Sequence, residues 1–250
     1  TIQTGAGDDT VDLAGFPLSN AVTIPVDMSG GNNTLRGPLA DSTWDITSTN
    51  SGTINGRVNF NNADHLIGAA NNLDTFIIED GAAFNGVVDG GAGGFDTLVL
   101  RGVLAGNYTP GQIFGDGTIT SGQSHIQFTG LEPVIIDGPS PATNTLPSTV
   151  TRQSDTSFTF TAPATTAGNG SQIKIDQDPS LANSNRISGT SGGVAFESFT
   201  FTNVTNVIID ALTNNPTNQD GTVTFASDLV ATGLKTLTLK LYRRNPGEWR

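Results

Sequence analysis

Three stretches of this chain repeat one another without gaps, and that repetition limits the fold more than any other feature. Val58-Asn59-Phe60 runs into NNADHLIGA, Ile126-Gln127-Phe128 into TGLEPVIID, and Phe199-Thr200-Phe201 into TNVTNVIID. Each holds two apolar residues at period two, a polar turn, and a second apolar run that starts at Leu66, Val134 or Val207. The phenylalanines stand 68 and 73 residues apart, and Ile46, Ile119 and Ile187 each open a Ser/Thr/Gly-rich stretch before the same strand. Period-two alternation marks half-buried strands, and Gly, Asn and Asp clusters mark the turns between them. A unit of this kind cannot bury its apolar face alone and stacks on its neighbours. The expected fold is therefore all-β, a β-solenoid (parallel β-helix-like) built from about three repeats of roughly 70 residues.

A shorter motif starts strands inside these units. Asp or Asn, then Thr, then an apolar residue recurs as Asp9-Thr10-Val11, Asn33-Thr34-Leu35, Asp74-Thr75-Phe76 and Asp96-Thr97-Leu98; Asp116-Gly117-Thr118-Ile119 and Asp220-Gly221-Thr222-Val223 carry one extra residue. A short side-chain oxygen caps a turn by accepting a nearby backbone N–H, and β-branched Thr enters a strand readily.

Composition sets the remaining bounds. Gly contributes 31 residues, Asp outnumbers Glu 19 to 4, and there are three Lys and no Cys, so no disulfide or thiolate zinc site staples the fold. A net charge of −12 argues against nucleic acid, whose phosphates need clustered Lys and Arg. No apolar run approaches the roughly 18 residues of a membrane helix, so membrane insertion is not expected. Thr1 opens in mid-pattern, which suggests a segment of a longer protein. The expected organisation is a repeat region over 1–137 with tight Gly turns, a Pro/Ser/Thr-rich stretch over 138–149, a continuing repeat region over 150–241, and a basic tail over 242–250. The Pro-containing stretch reads either as an excursion within one elongated body or as a domain boundary.

GAGDDTVDL (5–13), SGGNNTLRG (29–37) and DGGAGGFDTLVL (89–100) resemble the glycine-rich nonapeptides of RTX-type secreted proteins. The run from Trp44 to Leu98, and FTGLEPV at 128–134, is similar to repeats of giant bacterial surface proteins of the hemagglutinin-adhesin type. The resemblance implies a secreted or cell-surface location and a structural or adhesive role. It also implies Ca2+ ligation by Asp9 and Asp96, with the carbonyls of Gly5, Gly7, Gly90, Gly91 and Gly93 contributing. The copies depart from the pattern: Thr4 replaces the first glycine, Asn33 replaces an aspartate, and an extra residue separates Gly93 from Asp96. Plain turns that open strands are the alternative reading.

Catalysis needs a nucleophile, base or metal in a convergent pocket. The two histidines, His65 and His125, sit at different repeat phases, and no GxSxG occurs. Most Asp residues are explained as turn caps, and candidates such as Asp176 and Asp178, or Asp8 and Asp9, are sequence neighbours rather than a ready-made carboxylate pair, so no enzyme is expected. The expected function is a structural repeat segment of an extracellular bacterial surface protein, a spacer or a filament former that self-associates end to end. An adhesin module binding glycan or matrix is the alternative, and a β-helical polysaccharide-degrading enzyme a more distant one.

Overall fold

A computed structural model describes residues 1–16, 22–102, 105–111, 113–138 and 156–242. Among these the chain is all-β, with no helix and two mixed sheets. The stretch 139–149 and the tail from 243 onward lie outside the described residues. In chain order the strands are β1 (Ile2–Gln3), β2 (Thr10–Asp12), β3 (Ile24–Asp27), β4 (Thr34–Arg36), β5 (Ser42–Ser48), β6 (Ser51–Ile54), β7 (Val58–Asn61), β8 (His65–Ile67), β9 (Asp74–Ile78), β10 (Asn85–Asp89) and β11 (Thr97–Arg101). There follow β12 (Ala105–Pro110), β13 (Gly117–Ser121), β14 (Ser124–Thr129), β15 (Val134–Asp137), β16 (Ser157–Thr161), β17 (Gln172–Gln177), β18 (Asn185–Ser191), β19 (Val194–Thr202), β20 (Asn206–Asp210), β21 (Thr222–Phe225) and β22 (Thr236–Lys240).

The chain forms two compact units, Thr1–Arg101 with Gly115–Ile135, and Gly102–Phe114 with Ile136–Arg250. In the first unit the chain crosses back and forth between two sheets, ordered β1-β3-β7-β6-β5-β9-β11 and β2-β4-β8-β10-β14-β13, except where β5 to β7 and β13 to β14 stay in one sheet. Most neighbours are parallel: Ile2 lies opposite Val26 and Val26 opposite Phe60 in one sheet, Val11 opposite Leu35 and Leu35 opposite Leu66 in the other. Except for Ile2, which is half-buried, these side chains are buried, so like residues stack on like along the core. Trp44 stacks on Phe76 at 5.1 Å between ring centroids and meets Phe60 edge-on. The second unit orders β19-β18-β17-β21 and β12-β16-β20-β22, and its core is aromatic. Phe199 stacks on Tyr108 at 5.0 Å and on Phe158 at 5.2 Å, with Phe160, Phe196 and Phe201 packed around them.

Hairpins interrupt the parallel stacking, and the three aligned segments are their closing strands. Phe60, Phe128 and Phe201 are all buried in β7, β14 and β19, and a short turn leads each to buried Leu66, Val134 or Val207. The residue that faces Ile126 and Phe199 across the hairpin is Ile119 and Ile187; in the first copy it is Ile54, opposite Val58, rather than Ile46. The separations are 4, 7 and 12 residues while the turns stay short, so the paired arms of the hairpin lengthen from copy to copy and a gapless alignment slips upstream of them. Within the first unit Phe60 and Phe128 lie in different sheets, so the spacing of 68 is not a whole number of back-and-forth passes.

Candidate functional site

Corners between sheets are where a chain of this design must satisfy backbone groups that no strand partner reaches. Here Asp and Asn side chains do so from one layer to the next. Asp9, Asn33 and Asp64 precede β2, β4 and β8, and the register of Thr10, Thr34 and His65 brings the three into line. The Asp9 amide donates to Asn33 Oδ1 at 3.0 Å, and the Asn33 amide donates to Asp64 Oδ2 at 2.9 Å. Asn33 is fully buried and its Nδ2 donates to the carbonyls of Met28 and Asn62. The chain of bonds continues from Asn50 Nδ2 to Asp64 Oδ1, from the Asn85 amide to Asn50 Oδ1, and from the His125 amide to Asn85 Oδ1.

The other corner carries Ser42, Asp74 and Asp96, aligned by the pairing of β5, β9 and β11. The Asp74 amide donates to Asp96 Oδ1 at 2.7 Å and the Ala69 amide to Asp74 Oδ2 at 3.0 Å. Both carboxyls are buried, 1% and 2% exposed. Burial pushes Asp96 up to about 6; the Asp74 amide opposes this, and the charges of Asp74, Asp89 and Asp41 add to it. Burial raises Asp74 too, against the hydrogen bond from Ala69. Asp74 Oδ1 and Asn72 Oδ1 are buried without a hydrogen-bond partner, and so is Asp9 Oδ2 in the first corner.

Glycine keeps these corners close. A Cβ on Gly90 would lie 2.8 Å from Asp96 Cβ and would also strike the Gly130 carbonyl, while one on Gly68 would strike Asp74 Oδ2. At these two positions the absence of a side chain is required by the neighbouring layer.

The residues implied as calcium ligands fall into two groups. Gly5, Gly7 and Asp9 belong to a segment whose neighbour in space is the second glycine-rich copy: β2 lies on β4, and the Gly7 amide donates to the Gly30 carbonyl at 2.9 Å. Copies separated by 24 residues are thus stacked directly. Gly90, Gly91, Gly93 and Asp96 instead pack against the segment from Gly68 to Asp74, where the Asn71 amide donates to the Ala92 and Gly93 carbonyls. Asp96 and Gly93 already accept backbone amides there, whereas Asp9 retains a buried carboxylate oxygen that nothing contacts by hydrogen bond. Of the named ligands, Asp9 fits a hard cation best. Among the described residues no three His, Asp or Glu side chains gather into a metal cage, so a cation there would draw on carbonyls.

Sequence reading missed Asp64 and passed over Asp74 as a plain strand opener. NNADHLI and SGGNNTLR both place an Asx residue one position before a buried leucine pair's strand, and aligning them would have found Asp64. His65 and His125 sit at the starts of β8 and β14, half-buried and exposed. No protein-family model matches the chain, and no curated protein matches it significantly.

Proposed function

We propose that the chain is a β-solenoid that serves as a structural repeat segment of an extracellular bacterial surface protein, a spacer or a filament former that stacks end to end. The observation that carries this reading is the layered pairing. The chain passes back and forth between two sheets, most passes lie parallel on a neighbouring one, and in the first unit both corners are tied between layers by Asp and Asn side chains. Such an arrangement grows by repetition and keeps its cross-section, which suits a spacer. The acidic, cysteine-free composition and the resemblance of its glycine-rich turns to secreted repeats support the location. Electron microscopy of the purified chain tests the shape: thin rods support the solenoid, and compact spheres overturn it. Antibody labelling of intact and lysed source cells tests the location, since labelling only after lysis would refute a surface role.

A second reading concerns calcium, and the orphaned Asp9 Oδ2 favours it. Asp9, helped by carbonyls of the neighbouring turn, would hold a Ca2+ that locks the first corner. Thermal unfolding with and without the ion tests it.

A further inference from the structure

A groove of about 490 Å3 runs across the stacked layers of the first unit. Asp12, Arg36, Ile67 and Asp89 stand opposite one another in turn on β2, β4, β8 and β10, so one side of the groove is a column with one residue from each layer. Their chain neighbours Val11, Leu35, Leu66 and Val88 are buried, and alternation along a strand turns the column outward. The other side is made by the corner loops that follow these strands, where Leu39, Ala70 and Ala92 are exposed.

The Arg36 guanidinium is exposed and makes no ion pair or hydrogen bond among the described residues. Asp12 Oδ1 accepts the Ala14 amide at 2.8 Å and Asp89 Oδ1 accepts the Gly91 amide at 2.9 Å, which orients both carboxylates; the second oxygen of each accepts no bond among the described residues. Half-buried Ile67 lies between Arg36 and Asp89. The column therefore offers, layer by layer, an acceptor, a donor, an apolar surface and an acceptor.

That order matches a chain of sugar rings, whose hydroxyls donate to carboxylates and accept from a guanidinium while their C–H faces take apolar contact. The spacing agrees too, since parallel strands lie about 4.8 Å apart and an extended β-linked hexose chain advances about 5 Å per ring. A peptide strand is disfavoured, because β4, β8 and β10 are each paired on both sides and leave no free backbone edge. A polyanion is disfavoured as well, because it would meet two carboxylates for one guanidinium.

We propose that this groove binds a linear, neutral, β-linked glycan laid along the stack, with about three rings over the four layers. Hydroxyls of one ring bridge Asp12 and Arg36, the next ring rests its C–H face on Ile67 beside Leu39, and hydroxyls of the third donate to Asp89. Glycan binding goes beyond the spacer role and does not depend on end-to-end stacking.

Isothermal titration calorimetry at neutral pH tests it with cellohexaose and fully acetylated chitohexaose, and with maltohexaose and hexagalacturonate as coiled and anionic controls. At least one of the two β-linked neutral hexamers should bind with a dissociation constant below about 1 mM, and both controls about tenfold or more weakly. Arg36→Ala and Ala70→Trp, at exposed positions, should keep the native circular dichroism spectrum and weaken binding about tenfold or more, whereas Arg101→Ala, in the other sheet, should leave it unchanged. Failure of both β-linked hexamers to bind at about 10 mM would overturn the proposal. Binding that survives both Arg36→Ala and Ala70→Trp would overturn the site, and equal binding of either control would overturn the ligand class. In each case the spacer reading stands, because rods or spheres in electron microscopy decide it separately.

Discussion

The backbone amide of Asp74 donates to Oδ1 of Asp96 at 2.7 Å, two residues of one corner that begin neighbouring strands. Asp9 and Asn33 make the same bond at 3.0 Å in the other corner. The later strand's side chain caps the earlier strand's amide in both cases, once with a carboxylate and once with a carboxamide. The acceptor oxygen matters, and the charge does not.

Asp96→Ala should therefore cost about 1–3 kcal/mol, because the buried Asp74 amide loses its acceptor. Asp96→Asn should keep the bond and cost little, or stabilise at neutral pH by removing a buried charge. Urea unfolding of both variants checks this. Equal losses would mean that the carboxylate acts through something other than the cap.

Asp96 binds its proton up to about pH 6 in the folded chain, against an ordinary value of 3.8, chiefly because it is buried. A carboxyl raised in this way binds more protons folded than unfolded, so its contribution is complete below 3.8 and is lost as pH rises towards 6. Asp74 shifts in the same direction. In the second unit Asp176, Asp178 and Asp210 are lowered despite burial, by Arg186 and Lys174, by Ser180 and Thr200, and by the amides of Thr213 and Leu212. Their contributions are present above 3.8 and are lost as pH falls below it. Between pH 4 and 7 the native chain should lose stability relative to Asp96→Asn, and urea midpoints that move in parallel would contradict this.

Phe199→Ala should cost about 3–5 kcal/mol, since its ring packs against Tyr108, Phe158, Phe160 and Phe201 in the second core. Phe225→Ala, at a half-exposed position of the outer strand, should cost less than 1.5 kcal/mol, about the lower end for burying such a side chain. Denaturant titration of dilute protein compares the two. A large loss at Phe225 would mean that its ring is covered.

Gly90→Ala should destabilise by about 1–3 kcal/mol, because the new Cβ meets Asp96 and the Gly130 carbonyl. Gly5→Ala, with nothing within 4 Å of the added carbon, should stay within about 0.5 kcal/mol. Unfolding in EDTA makes this a test of packing alone.

Calcium at 5 mM should stabilise by roughly 1.4 kcal/mol over EDTA if the ion binds with a dissociation constant ten times lower, as extracellular modules do. Asp9→Ala should abolish the shift, and a shift that survives would place the ion elsewhere.

The sequence alone determined that the chain is all-β and where strands begin. Thr10, Thr34, Thr75 and Thr97 each enter a strand behind an Asp or Asn, because a short side-chain oxygen and a β-branched neighbour act within three or four residues. It also marked Phe60, Phe128 and Phe201 as core, since period-two alternation depends only on which face a side chain takes. Tertiary structure decided which copies meet. The four motifs are locally alike, yet Thr10 pairs with Thr34 and Thr75 with Thr97, in different sheets. It decided as well that Ile54 rather than Ile46 faces Val58, and that Asp64 and Asp74 join the corners. Those choices follow from hydrogen-bond satisfaction and layer packing between segments some 20 to 30 residues apart, and a local pattern contains neither the loop lengths that close nor the amide left needing a cap.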